Sequence, residues 1–228
     1  MKENLLLLHG ALGTKAQFKD YIQKLNDHFT VHTFNFEGHG GIPSTNSFSI
    51  ESFSKNLIEF LDKNKIEKAN IFGYSMGGYV ALYTSIRHPR RISKIITLGT
   101  KFNWNPETAE KEASMLDPNV IEIKVPHFAN RLDSLHHPLD WKEVMHNTRE
   151  MMMAMGNGER IKDDDFSNID IPVIIGLGSL DRMVSTQESE KVKSLIPNSK
   201  FQILNDVSHP IEKNSPDVIS SFILDHLE

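Results

Sequence analysis

The stretch Asn70-Ile71-Phe72-Gly73-Tyr74-Ser75-Met76-Gly77-Gly78 decides the fold of this chain. An apolar run, Asn70 to Phe72, leads straight into a helical pattern from Tyr79 to Ile86, and a serine sits at the junction. On so sharp a strand-to-helix turn the hydroxyl is thrust outward, available to attack a carbonyl carbon. Gly73 and Gly77 suit the same geometry, because strand and helix approach closely there and leave little room for side chains. A five-residue pattern of this kind recurs by chance, so its weight comes from what surrounds it.

Working outward, short apolar runs bounded by Gly, Asn or Pro alternate with longer helical patterns. Six strands are expected, at Leu5–Leu8, Val31–Phe36, Asn70–Gly73, Lys94–Leu98, Val173–Leu177 and Phe201–Leu204. Between them the 3.6-residue period appears at Ile50, Phe53, Leu57, Phe60 and Leu61, with Ser49 as N-cap. Ser215-Pro216 opens a last helix with Ile219, Phe222, Ile223 and Leu227 on one face. This alternation predicts an α/β fold, a mainly parallel six-stranded sheet flanked by helices.

About seventy residues separate the strand ending at Leu98 from the one beginning at Val173, far more than a crossover helix requires. Helical patterns at Pro106–Leu116 and Trp141–Met155 are separated by stretches interrupted at Pro118, Pro126 and Pro138. The expected organisation is a core of residues 1–100 and 169–228 carrying a helical cap, residues 101–168.

A serine hydroxyl is a poor nucleophile at neutral pH and needs a base, which in turn needs an acid to hold its tautomer. Asp181 lies just past the strand Val173–Leu177, and His209 just past Phe201–Leu204. Their order, Ser then Asp then His, is the one associated with a strand-turn-helix serine. All three leave the same edge of a parallel sheet, where ligands of open α/β sheets bind. After the strand ending at Leu98, Gly99 to Asn105 offers only Lys101 as a charged residue, which favours Asp181 as the acid. The turn His9-Gly10-Ala11-Leu12-Gly13 after the first strand can aim a backbone N–H at the same point as that of Met76, so Ala11 and Met76 are the expected oxyanion donors.

Composition bounds the partners. With 228 residues, 39% of them hydrophobic, the chain can bury a full core, and its net charge of −5 supplies no basic stripe for nucleic acid. It has no cysteine, hence no disulfide or thiolate chemistry. The apolar run at Leu5–Leu8 is shorter than the about 7–15 residues of a signal-peptide core, and nothing approaches the roughly 20 apolar residues of a membrane span. A cytoplasmic protein without membrane or nucleic-acid partners is expected.

His9-Gly10, Phe36-Glu37-Gly38-His39-Gly40, the Gly73–Gly78 elbow, Asp181 and His209 together resemble the α/β-hydrolase superfamily. The resemblance is specifically to its small single-domain serine hydrolases and esterases with a helical cap. That resemblance implies a cofactor-free serine hydrolase acting on a small-molecule acyl substrate, an ester or thioester, through an acyl-enzyme on Ser75. The same triad also serves C–C bond hydrolases and lyases, and the fold is reused in non-catalytic ligand-binding or signalling modules. Serine at the elbow argues against the carbon–halogen and epoxide chemistry of relatives that carry aspartate there.

The remaining features concern the substrate. Met151, Met152, Met153 and Met155 read as a helix packed on the core, or as an acyl pocket shared with Phe102, Trp104, Phe128 and Trp141. Lys101, Arg131, Arg149 and Arg182 are available to a substrate carboxylate, with surface solubility as the simpler role. His127, His136 and His137 lack metal-ligand spacing and read as exposed cap residues, so no metal is expected.

Overall fold

A computed structural model describes residues 2–227. Its core is one sheet with strands β1 (Asn4–Leu8), β2 (Thr30–Thr33), β3 (Ala69–Tyr74), β4 (Ile92–Leu98), β5 (Val173–Gly178) and β6 (Ser199–Leu204). They lie in the order β2-β1-β3-β4-β5-β6, and every neighbouring pair is parallel. The α/β-hydrolase architecture expected from the sequence is therefore present.

Helices cover both faces, which is why β1 reads as an unbroken leucine run instead of an alternating one. Leu6 and Leu8 face a cluster with α2 (Ile50–Lys63) and α3 (Met76–Arg87), whereas Leu5 and Leu7 face α1 (Lys19–Leu25) and α10 (Pro216–Leu227). The start of α2 is secured by a reciprocal capping box between Ser49 and Ser52.

One strand is shorter than its sequence suggests. The β2 register ends at Thr33 opposite Leu7, and the Phe36 N–H goes to His9 Nε2 at 3.2 Å instead of to a neighbouring strand. Phe34 meanwhile stacks on Phe60 with ring centroids 4.8 Å apart. Aromatic packing and a histidine acceptor thus replace the last rungs of the ladder.

Between β4 and β5 run α4 (Pro106–Ser114), α5 (Pro118–Lys124), α6 (Pro126–His136), α7 (Trp141–Gly156) and the one-turn α8 (Asp163–Phe166). Pro118 and Pro126 open helices α5 and α6 instead of interrupting an irregular stretch. Proline suits a first helical position, where its missing N–H has no intrahelical partner to lose. Ile121, Ala129, Leu132, Trp141 and Met145 form a small apolar cluster inside this insertion. Its other members, including Trp104, Val144, Met151 and Met155, join the main cluster under α2 and α3. α9 (Thr186–Leu195) returns the chain to β6. Among the described residues no helix is long and apolar enough to cross a membrane.

Candidate active site

Ser75 stands between β3 and α3 with φ 51° and ψ −118°, a conformation that costs a non-glycine residue about 1–3 kcal/mol and persists only when its surroundings enforce it. Four bonds enforce it here. The Ser75 N–H donates to Leu98 O at 2.9 Å, and its carbonyl accepts from Gly78 N at 3.1 Å, from Tyr79 N at 3.4 Å and from Thr100 Oγ1 at 2.9 Å. The flanking glycines are sterically required: a Cβ on Gly73 would lie 2.4 Å from Gly78 Cα, and one on Gly77 would lie 2.3 Å from Leu8 O.

His209 reaches the serine from the loop after β6. Its Nε2 is 3.3 Å from Ser75 Oγ, and its Nδ1 is 2.8 Å from Asp181 Oδ2. A carboxylate can only accept, so Nδ1 carries the proton and Nε2 turns its lone pair toward the serine. Asp181 Oδ1 accepts from the N–H groups of Met183 at 2.8 Å and Val184 at 3.0 Å. Burial raises the Asp181 carboxyl, but the His209 hydrogen bond and charge and these two backbone donors together leave it below its ordinary value. The Tyr74 hydroxyl donates to His209 O at 2.8 Å and so tethers the backbone of His209 to the elbow. Nothing in the elbow pattern marks Tyr74 for that role, because the partner is 135 residues away.

Ala11 and Met76 line the cavity that contains Ser75 and His209. Among the described residues neither of their N–H groups meets a protein acceptor. Met76 is the first residue of α3, where an N–H has no intrahelical partner. Ala11 belongs to a turn closed by Gly13 N to Gly10 O at 3.1 Å, with Leu12 at φ 58°.

That turn is pinned by a residue that no local sequence pattern singles out. His136, at the end of α6, is fully buried and not an exposed cap residue, whereas His127 and His137 are exposed. Gly40 N donates to His136 Nδ1 at 3.1 Å, so Nδ1 accepts, and Nε2–H donates to Leu12 O at 3.1 Å. His9 likewise donates from Nδ1 to Gly10 O at 2.8 Å while Nε2 accepts from Phe36 N. The rings of His9 and His39 lie 5.1 Å apart, and those of His39 and His136 5.7 Å apart. Burial lowers the pKa of all three, His9 to about 4 and His39 well below its usual range. Among the described residues no group of three or more His, Cys, Asp or Glu could hold a metal ion.

The cavity at Ser75 is narrow, about 50 Å³. Trp104, Met151, Met152 and Met155 form its cap side, and Ile50, Tyr79, Met183 and Val184 add to the wall. The methionines therefore pack on the core and line the cavity at once. Phe102, Phe128 and Trp141 are not in that wall. Phe102 sits between Tyr79 and Phe166, at ring centroid distances of 6.4 and 6.2 Å, and borders a larger groove of about 530 Å³ on the other side of Trp104. Trp141 turns into the apolar cluster of residues 121–145, and a half-buried Phe128 packs against it.

Lys101 is the other departure. Arg131, Arg149 and Arg182 are exposed, but the Lys101 side chain is 15% exposed and pairs with Glu112, itself 5% exposed, at 3.3 Å. Both border the cavity.

A strained serine with a hydrogen-bonded histidine and aspartate, two free N–H donors and an apolar cavity is an arrangement able to carry out nucleophilic acyl chemistry. The chain belongs to the alpha/beta hydrolase fold family, whose model matches residues 3–139. It is 24% identical over 234 aligned residues to 3-oxoadipate enol-lactonase 1 of Acinetobacter baylyi, covering 96% of this chain and 88% of that one. A probable alcohol acetyltransferase of Cyberlindnera fabianii is 33% identical over 103 residues, but the match spans 43% of this chain and only 27% of that protein. The enol-lactonase from Burkholderia xenovorans LB400 superposes with a TM-score of 0.79 at 19% identity, covering 99% of this chain and 91% of that one.

Proposed function

We propose that this chain is a serine hydrolase of small carboxylic esters, working through an acyl-enzyme on Ser75. The observation that carries this reading is the continuous relay Ser75 Oγ, His209 Nε2, His209 Nδ1, Asp181 Oδ2, with links of 3.3 and 2.8 Å, opening onto an apolar cavity. His209 takes the serine proton as Oγ attacks the acyl carbon, Asp181 stabilises the imidazolium, and the N–H groups of Ala11 and Met76 receive the oxyanion. The histidine then returns the proton to the leaving alcohol. In the second half it activates water, which releases the acid and frees Ser75. A full-length relative named as an enol-lactonase supports ester chemistry, since a lactone is a cyclic ester. Residues 101–168 act as the cap that shapes the acyl site, and no cofactor takes part.

The test is hydrolysis of p-nitrophenyl acetate and butyrate together with fluorophosphonate labelling. Wild type is expected to turn over both esters and to label at Ser75, and Ser75→Ala to do neither while keeping its circular dichroism. An unlabelled wild-type serine alongside tight small-molecule binding would instead favour a non-catalytic module.

A further inference from the structure

Glu112 enters the cavity from α4 and Lys101 from the loop after β4, so an ion pair stands in an otherwise apolar wall with Ser75. Burying such a pair is seldom a gain in stability over apolar residues of similar volume. This one is also incompletely satisfied. Its N–O distance of 3.3 Å exceeds the about 2.7–2.9 Å of a charge-assisted hydrogen bond. Lys101 Nζ gives one proton to Met183 O at 2.8 Å and faces Glu112 with a second, and its third meets no acceptor among the described residues. The Glu112 carboxylate, 95% buried, meets no donor among them except Lys101. Buried carboxylates ordinarily collect several donors, so both ends of this pair keep capacity turned toward the cavity.

Building on the ester-hydrolase reading, we infer that Lys101 and Glu112 form a seat for a neutral group that both accepts and donates a hydrogen bond, a hydroxyl or a primary carboxamide, on a short acyl chain. The pair is charge-balanced, which settles the sign of the ligand. A carboxylate there would face Glu112, an ammonium would face Lys101, and an alkyl end would leave both unsatisfied. A hydroxyl or carboxamide accepts from the ammonium and donates to the carboxylate with no net charge left over. The size fits as well, since about 50 Å³ accommodates only a handful of water-sized groups at roughly 10–15 Å³ each.

Four methyl esters decide the matter: methyl succinamate and methyl 3-hydroxybutyrate against monomethyl succinate and methyl butyrate. At least one of the first two is expected to exceed both of the others by about tenfold or more in kcat/KM, the factor that one hydrogen bond to a charged group commands. The double variant K101M/E112L, which leaves no lone charge behind, is expected to bring that ratio close to one. Wild-type selectivity that is flat, or that favours butyrate or succinate, overturns the seat whether or not the variant folds. If Ser75 labels with fluorophosphonate but none of the four esters is hydrolysed, the seat is likewise overturned while the serine assignment survives. Absence of both labelling and turnover removes the hydrolase reading itself.

Discussion

The Thr100 hydroxyl donates to the carbonyl oxygen of Ser75 at 2.9 Å, so the loop leaving β4 holds the strained serine from behind. Thr100 is 2% exposed, and its loss leaves that carbonyl with the N–H groups of Gly78 at 3.1 Å and Tyr79 at a longer 3.4 Å. Thr100→Val, of equal shape, is expected to cost about 1–2 kcal/mol of stability and to lower esterase kcat several-fold as the elbow relaxes. Thr100→Ser, which keeps the hydroxyl, should retain most of both. Urea unfolding and steady-state kinetics on the two variants check this.

Asp181→Asn should leave the fold in place and lower kcat by roughly 10⁴, because an amide can donate to Nδ1 and invert the histidine tautomer. Single-turnover acylation by p-nitrophenyl butyrate measures it. Since the folded Asp181 carboxyl lies below its ordinary value of 3.8, its contribution to stability is complete above that pH. It is lost as pH falls through the folded value. The Asn variant should therefore lose less stability than wild type in that acid window.

His136 connects the cap to the turn that carries Ala11. Replacing it with Phe keeps an aromatic volume but removes the bonds to Leu12 O and Gly40 N, freeing the turn. The expected result is about a tenfold fall in kcat with KM little changed, the signature of a contact made only in the transition state. Weaker binding of a boronic acid, which mimics the tetrahedral intermediate, should accompany it. His136→Gln, able to donate to Leu12 O, should restore part of the loss.

Acid should unfold this protein earlier than its carboxylates alone would require. His9 is lowered from 6.5 to about 4, and His39 falls well below its usual range, chiefly by burial. Their folded state favours the neutral ring, so their stability contribution is complete above pH 6.5 and drains as pH falls toward the folded values. For His9 that difference is roughly 3 kcal/mol. Urea midpoints measured from pH 7.5 to 4.5 should decline across this range, and His9→Asn should flatten part of the decline.

The fold and the convergence of the candidate site residues were legible for related reasons. Strands β1, β3 and β5 are buried on both faces, so their apolar runs stand out, and the residue after each such run must emerge at the carboxyl edge of the sheet. That is enough to bring Ser75 and Asp181 toward one another, and His209 joins them because the edge strand β6 runs parallel to the others and ends at the same side of the sheet. β2 ends at Thr33 because Phe34 and Phe36 gain more from ring packing and from His9 than from further ladder bonds, a competition invisible to a local pattern. Pro118 and Pro126 misled in the opposite direction, since a proline that breaks one helix is also well suited to begin the next.

The sequence by itself determined the sheet, the elbow and the order of its partners, because those depend on strand burial and on backbone sterics near Gly73 and Gly77. Tertiary structure alone decided which side chains line the cavity at Ser75. The direction in which a cap helix turns its aromatic and methionine residues depends on how it docks, and docking sums many weak contacts from distant segments. Trp104 and Met155 thus reach the cavity while Phe128 and Trp141 turn away, and His136, Lys101 and Glu112 acquire their roles only through partners that folding brings to them.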